Sequence, residues 1–140
     1  MIAGGERGYP ALSRRRPRGK PSNTEDLARI AAEAAASKKA EDIVILDMRG
    51  LVDYTDFLVI CTGRTPRQTK AIADEVRNVL KKDHGLAPRR VEGDKEGDWI
   101  LLDAIDIVVH VFTPEAREFY RLDRLWRDAP LLAFDASTPA

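Results

Sequence analysis

A cysteine followed by an arginine is the first residue pair in this sequence that could do chemistry. Cys61 ends an apolar run, and Arg67 follows after five intervening residues at a predicted helix start. Cysteine-dependent phosphatases use this order, because the loop and helix N-terminus cradle a phosphate that the arginine clamps. This loop has only Gly63, and Gln68 stands where a hydroxyl residue is expected. A Cys61–Arg67 phosphatase remains the alternative hypothesis, and a buried structural cysteine is favoured.

Acidic residues at predicted strand ends are the second candidates. Asp47, Asp98, Asp103 and Asp106 occupy such positions. A two-metal nucleotidyl transferase needs two acids alternating on one strand, after a Gly-Ser turn that holds the triphosphate. Asp103 and Asp106 are three residues apart across a turn, so they do not share a strand face. The pattern favours solvated strand-end charges over a metal site.

The two histidines are the remaining candidates for catalytic groups. His84 and His110 have no second cysteine with which to form a structural zinc set. His110 lies inside an apolar run, which predicts a core histidine with one satisfied hydrogen bond. The sequence contains no Walker loop, dinucleotide fingerprint or nucleophile elbow. We therefore expect a binding protein that is not an enzyme and uses no cofactor and no metal.

The net charge of zero is the sum of two unlike parts. The chain has 140 residues, with 23 basic and 23 acidic side chains. Residues 1–22 hold six basic side chains and one acid, whereas residues 23–140 hold seventeen basic and twenty-two acidic side chains. The glycine- and proline-rich first part is expected to be a disordered basic tail, either inert or making at most weak RNA contact. The acidic remainder argues against a general nucleic-acid coat protein.

Compartment and targeting follow from what the sequence lacks. One cysteine permits no intramolecular disulfide. No stretch approaches the roughly 18 apolar residues that a membrane helix needs. The N-terminus has no apolar run typical of a signal peptide. We expect a cytoplasmic protein with no membrane partner.

Apolar periodicity and capping predict the elements that position these residues. Helices are expected from about residue 24, from Pro66 and from Pro114, and strands at 43–46, 57–61, 88–91, 99–102 and 107–112. The last two strands should form an antiparallel hairpin, with the second one central in the sheet. The buried face of the last helical stretch is predicted to consist of Phe119, Leu122, Leu125 and Trp126.

The predicted fold class is α/β (α+β), a mixed five-stranded sheet with helices packed on it. The folded domain is expected to span residues 23–129. Residues 1–22 form the N-terminal tail, and residues 130–140 are expected to be a frayed C-terminal tail.

An ordered series of short motifs between about residues 24 and 128 resembles the ribosomal silencing factor family, also called the Iojap family. Each motif is short, but their joint order and spacing are specific. The series is Asp42-Ile43, Leu46-Asp47, Thr55-Asp56-Phe57, Ile60-Cys61-Thr62-Gly63, Arg67, Ile72-Ala73, Val91-Glu92-Gly93, Asp98-Trp99-Ile100, Asp103, Asp106 to Phe112, Arg117, Tyr120 and Leu125-Trp126.

The resemblance implies a degenerate nucleotidyl-transferase-like fold without its catalytic acids. It also implies binding to the large ribosomal subunit through its ribosomal protein fourteen. A family member there would block joining of the small subunit and repress translation. Several members look homodimeric, so a homodimer is possible.

Two positions depart from the family pattern. The family commonly has Ser-x-Arg-His after the Thr-Gly turn, and this chain has Thr65-Pro66-Arg67-Gln68. The family often has glycine before the aspartate of the last strand, and this chain has Ile105 before Asp106.

The expected partner-binding residues centre on an aromatic residue that acids surround. Aromatic and arginine side chains dominate interface hot spots, and an acidic surface suits a basic ribosomal protein. Core packing of Trp99 remains an equal alternative. The expected contact set is Glu92, Asp98, Trp99, Asp103, Asp106, Arg117 and Tyr120.

Overall fold

A mixed six-stranded sheet with helices on both faces forms the protein in the computed structural model, which describes residues 24–135. The tail expected at residues 1–22 lies outside the described residues, as do residues 136–140. The strands are β1 (Glu41–Asp47), β2 (Phe57–Thr62), β3 (Arg90–Glu92), β4 (Trp99–Asp103), β5 (Ile107–Phe112) and β6 (Leu131–Leu132). The helices are α1 (Thr24–Ser37), α2 (Pro66–Asn78, continued by a π-helical turn, Val79–Asp83), α3 (Pro114–Tyr120) and α4 (Leu122–Leu125).

The strand order is β3-β4-β5-β2-β1-β6, and β5 pairs with β2 in parallel. All other strand pairs are antiparallel. The expected hairpin of β4 and β5 is confirmed, with Trp99 opposite Phe112 and Asp103 opposite Val108. All six β5 residues are buried, because the strand has a neighbour on each side and helices on both faces. The mixed α/β class is therefore confirmed.

The sheet has six strands where five were expected. The additional strand, β6, pairs Leu131 and Leu132 with Leu46 and Ile45 of β1. It lies in the segment that was expected to be frayed, so the folded region extends past residue 129. The error arose because two residues are too few for any periodic signal, and pairing with β1 supplies the order.

Two apolar clusters pack on opposite faces of the sheet. Side chains alternate along a strand, so Val109 and Val111 of β5 face one side, whereas Val108 and Phe112 face the other. The first cluster includes the buried faces of α1 and α2, with Ile72 of α2 fully buried. The second cluster includes parts of α3 and α4. The two faces therefore present different surfaces to partners.

The start of α2 follows the predicted capping chemistry with one change. The hydroxyl of Thr65 accepts a hydrogen bond from the backbone N–H of Gln68 at 3.1 Å. Gln68 Oε1 accepts from the N–H of Arg64 at 2.9 Å, one residue before the cap. Gln68 Nε2 donates to the carbonyls of Lys38 and Lys39, each at 3.2 Å. Gln68, at the position where the family pattern has histidine, thus joins α2 to the end of α1.

The C-terminal helical stretch differs from its prediction. Arg121 adopts a left-handed conformation with φ of 52° and separates α3 from α4. Leu122 and Trp126 pack against the second cluster as expected. Phe119 is 78% exposed and Leu125 is 67% exposed, so the prediction that both are buried is wrong. The break at Arg121 changes the helix direction, so one helical periodicity does not describe both parts.

Ile105 has a positive φ of 72° in the tight turn between β4 and β5. Ile105 is 54% exposed and stands two residues after the buried Asp103, whose Oδ1 accepts its N–H at 2.9 Å. A β-branched residue is strained in this region of backbone space. The turn geometry explains why glycine suits this position.

Candidate partner-binding surface

An aromatic cluster lies where β4 begins, β5 ends and α3 ends. The ring centroids of Trp99 and Tyr120 are 4.4 Å apart, and those of Trp99 and Phe112 are 5.1 Å apart. Phe119 meets Tyr120 edge-on at 4.9 Å. Phe112 is fully buried, Trp99 is half-buried, and Tyr120 is 49% exposed. The cluster therefore extends from the core to the surface.

His110 supports Trp99 from within the sheet. The indole Nε1–H of Trp99 donates a hydrogen bond to Nδ1 of His110 at 2.9 Å. Burial lowers the pKa of His110 to about 4, because the charged imidazolium loses its hydration. A neutral ring with Nδ1 unprotonated is the form that accepts this bond. The prediction of a core histidine with one hydrogen bond is confirmed, and its partner is Trp99.

A glycine turn fixes the chain before Trp99. Gly93 has φ of 80°, and a Cβ atom there would lie 1.9 Å from the carbonyl oxygen of Trp99. The hydroxyl of the buried Thr69 donates to the carbonyl of Gly97 at 2.6 Å, which ties the turn to α2. Glycine is required at position 93 because no side chain fits against the β4 backbone. This turn sets the position at which Trp99 enters the sheet.

Two expected acidic residues flank the aromatic cluster. Asp98 is exposed and directly precedes Trp99, and its carbonyl accepts the backbone N–H of Thr113 at 3.0 Å. Glu92 on β3 is exposed and pairs in register with Leu101 of β4, two residues from Trp99. Strand alternation places the side chains of residues 92, 99 and 101 on one sheet face. We call the set of Glu92, Asp98, Trp99 and Tyr120 the β4 surface.

Asp103 and Asp106 lie at the other end of the β4–β5 hairpin. Three residues of β4 lie between Asp103 and Trp99, so their backbones are about 13 Å apart. Asp103 is buried, and its carboxylate accepts from Arg89 Nε at 3.2 Å and lies 3.9 Å from Arg90. Asp106 directly precedes β5, and its backbone N–H donates to the carbonyl of residue 104 at 2.8 Å. The structure therefore separates these acids from the β4 surface and involves Asp103 in the turn.

Arg117 points under α3 instead of towards the β4 surface. Its Nη1 donates to the carbonyl of Asp42 at 2.6 Å and to the hydroxyl of Thr62 at 2.8 Å. Its Nε and Nη2 form a bidentate pair with Asp123 at 3.1 and 2.8 Å. The side chain is only 15% exposed. Arg117 therefore connects α3 to β1, β2 and α4. These contacts are structural, whereas the residue was expected to contact a partner.

The structure contradicts the cysteine phosphatase alternative. Cys61 is fully buried in the first apolar cluster, beneath the helices. Burial raises the pKa of its thiol to about 12, so the thiol is not ionised at neutral pH. Arg67 is exposed on the helix start and has no hydrogen bond or ion pair within residues 24–135. A buried neutral thiol cannot act as a nucleophile.

Two further kinds of site, a metal centre and a membrane span, have no counterpart in residues 24–135. Among residues 24–135, no group of three or more His, Cys, Asp or Glu side chains is arranged to hold a metal ion. No described helix is both long and apolar enough to cross a membrane.

Sequence reasoning missed two contributors to the surface. It assigned Phe119 to the core, although the ring is largely exposed beside Tyr120. It placed His110 in the core without linking it to Trp99. The signal for the second was the hairpin register, which places Leu101 opposite His110 and so brings Trp99 within reach.

Comparison with known proteins gives the family. The pattern described as "Ribosomal silencing factor during starvation" matches residues 21–140. The ribosomal silencing factor RsfS of Bacillus subtilis is 41% identical over 113 residues, which cover 81% of this chain and 95% of that protein. The chloroplastic protein Iojap of Zea mays is 38% identical over 99 residues, covering 70% of this chain and 42% of that protein.

A solved structure supports the same assignment. A crystal structure from Chromobacterium violaceum is 35% identical and has a TM-score of 0.73. It covers 84% of this chain and 98% of that one. The pattern match, the curated relatives and the shared fold agree with the motif series in the sequence. The chain belongs to the ribosomal silencing factor family.

Proposed function

We propose that the protein represses translation in the cytoplasm by binding the large ribosomal subunit through its ribosomal protein fourteen. The bound domain would occupy space that the small subunit needs for joining. The β4 surface carries this proposal, because it combines a supported aromatic anchor with exposed acids. No bond is made or broken in this mechanism, so it requires no catalytic group, cofactor or metal.

The chemistry of the β4 surface fits a basic protein partner. Tyr120 is half-exposed and its ring packs on Trp99, which His110 holds by a hydrogen bond. Such an anchor loses little conformational entropy on binding, because its neighbours already restrict it. Asp98 adds negative charge at its edge, and Glu92 adds less because Arg90 Nε lies 3.3 Å from its carboxylate. Opposite charge on a ribosomal protein would steer the encounter and fix its orientation.

The overall charge of the folded part agrees with this partner. Residues 24–135 hold seventeen basic and twenty-two acidic side chains. A net acidic body is attracted to a basic protein and, outside its basic segments, is repelled by the phosphates of bare RNA. A footprint of standard size, about 800 Å² on each partner, would be sufficient to obstruct docking at that position.

Co-sedimentation with isolated large subunits tests the proposal. The unaltered protein is expected to travel with the large subunit, and Tyr120→Ala should weaken binding by about tenfold or more because it removes a hot-spot ring. Asp98→Asn should weaken binding less and reduce its salt dependence. Glu33→Gln is the matched control for charge, because Glu33 is exposed on α1 at the opposite face.

Absence of any co-sedimentation at low salt would contradict the proposal. Equal binding by the Tyr120→Ala variant and the unaltered protein would contradict the assignment of the β4 surface. Circular dichroism of each variant would verify that the fold is intact. A homodimer, which the resemblance implies, stays a separate proposal that analytical ultracentrifugation would test.

A further inference from the structure

Basic residues concentrate on one segment of this acidic domain. Residues 64–83, which include α2 and its π-helical turn, hold six basic and three acidic side chains. The other described residues hold eleven basic and nineteen acidic side chains. The charge is therefore segregated, and α2 is the positive part of a negative body. A segregated charge creates a local potential that the net charge conceals.

The cations of α2 and its π-helical extension are available to a partner. The side chains of all five cations form no hydrogen bond or ion pair within residues 24–135. Four of the five are exposed and Lys70 is half-buried. Most other arginines of the described chain are engaged with acids, as Arg64 is with Glu41 at 2.7 Å. The five form a set that we call the α2 stripe: Arg67, Lys70, Arg77, Lys81 and Lys82.

The α2 stripe lies on the opposite side of the sheet from the β4 surface. Ile72, Val76 and Leu80 anchor the helix in the first apolar cluster. Trp99 packs with the second cluster, on the other sheet face. A partner bound to the β4 surface would therefore leave the C-terminal part of the α2 stripe, Arg77 to Lys82, uncovered, whereas Lys70 lies against Gly97, next to Asp98.

We propose that the α2 stripe binds the phosphate backbone of RNA. A helix rises about 1.5 Å per residue, so the stripe extends over roughly 20 Å from Arg67 to Lys82. Cations spread along such a length match a row of phosphates rather than one compact anion. Lysine and arginine on a helix face contact phosphates without reading sequence.

A small anion is a poorer fit to this side of the molecule. The cavity beside α2 has a volume of about 230 Å³, and Lys70 and Arg77 line it. Asp74 and Asp94 line the same cavity. The two acids balance the two cations inside this cavity, so it offers no net positive charge to a nucleotide phosphate, whereas residues 64–83 as a whole hold three more cations than acids. The ligand class that remains is an extended polyanion on the outer face.

Binding to a short RNA duplex, without ribosomes, tests this inference independently of the proposed function. Fluorescence anisotropy of a labelled 20-base-pair RNA would be measured with the full chain across a salt series. The double variant Arg77→Gln with Lys81→Gln should bind about tenfold more weakly at low salt. The slope of log K against log salt concentration should be shallower by about 2, which is about one unit for each lost phosphate contact.

Two controls separate the α2 stripe from other cations. Arg124→Gln with Arg127→Gln removes two exposed, unpaired arginines near α4 and should leave affinity and slope nearly unchanged. Arg14→Gln, Arg15→Gln and Arg16→Gln remove charge from the basic N-terminal segment and should reduce binding without abolishing it. Circular dichroism would show that each variant is folded.

Three results would overturn the inference. The α2 double variant could match the unaltered protein in both affinity and salt slope. The N-terminal triple variant could abolish binding completely. The α2 double variant could lose binding to vesicles of anionic lipid while keeping its affinity for RNA, which would assign the stripe to a membrane surface.

Discussion

At the scale of single residues, His110 shows how a buried polar group can serve a surface. Its Nδ1 accepts the indole N–H of Trp99, so the histidine fixes the orientation of the ring against which Tyr120 packs. Protonation of Nδ1 would remove the acceptor and place a charge in an apolar site. The neutral state of His110 is therefore coupled to the geometry of the β4 surface.

This coupling predicts a pH dependence of stability. The pKa of His110 is about 4 in the folded protein, below the ordinary value of about 6.5 that the unfolded chain has. The unfolded state therefore binds more protons between pH 4 and pH 6.5, so stability is complete above pH 6.5 and decreases as the pH falls. At pH 5 the loss from this residue should be about 2 kcal/mol.

Urea unfolding at pH 7.5 and pH 5 measures that loss. The variant His110→Asn keeps an acceptor near the position of Nδ1 but does not titrate. Its change in unfolding free energy between the two pH values should be smaller than that of the unaltered protein by about the same 2 kcal/mol. Identical pH dependence in the two proteins would show that His110 does not control it.

Residue-level predictions succeeded where chemistry depends on sequence neighbours and failed where it depends on packing. His110 was predicted to be a core residue because apolar residues surround it in the sequence. The favoured interpretation of Cys61 as a buried structural residue is also confirmed. Arg117 was expected at the surface, but its partners Asp42 and Thr62 are 75 and 55 residues away. No pattern of neighbouring residues in the sequence predicts contacts over such separations.

At the scale of secondary-structure elements, predictions were correct where the sequence has a local capping or turn signal. They were wrong where a residue adopts an unusual backbone conformation. The β4–β5 hairpin and the start of α2 were predicted because capping residues and short links are local signals. The separation of α3 from α4 was missed because Arg121 adopts a left-handed conformation that arginine rarely takes. The sequence also contains no signal for the register shift of β1 near Asp42, whose φ is 50°.

The strained turn between β4 and β5 gives a prediction at this scale. Ile105→Gly should raise the free energy of unfolding by about 1 kcal/mol, because glycine adopts a positive φ without strain. Only about half of the Ile105 side chain is buried, so its removal costs less than truncating an isoleucine in the core. Ile105→Val is the control, because it keeps the β-branch and should change stability by less than about 0.5 kcal/mol.

Chemical denaturation of the three proteins at pH 7.5 would decide the point. A decrease in stability for Ile105→Gly would mean that the isoleucine side chain contributes more by packing than it costs by strain. The packing of the side chain would then explain why the turn tolerates isoleucine.

At the scale of the whole molecule, the sheet separates two surfaces of opposite character. The β4 surface is acidic and aromatic, and the α2 stripe is basic. A domain with this arrangement could contact a basic protein and RNA phosphates at the same time. Such bivalent contact would strengthen attachment to a ribonucleoprotein particle, because the second contact forms within an existing complex.

The central claim is that the domain prevents joining of ribosomal subunits by occupying a site through its β4 surface. Sucrose-gradient analysis of purified large and small subunits, mixed with increasing amounts of the protein, tests it most directly. We predict that the joined-ribosome peak decreases as the protein is added, and that Tyr120→Ala restores the peak whereas Glu33→Gln does not. An unchanged joined-ribosome peak at saturating protein, with the protein bound to the large subunit, would contradict the account.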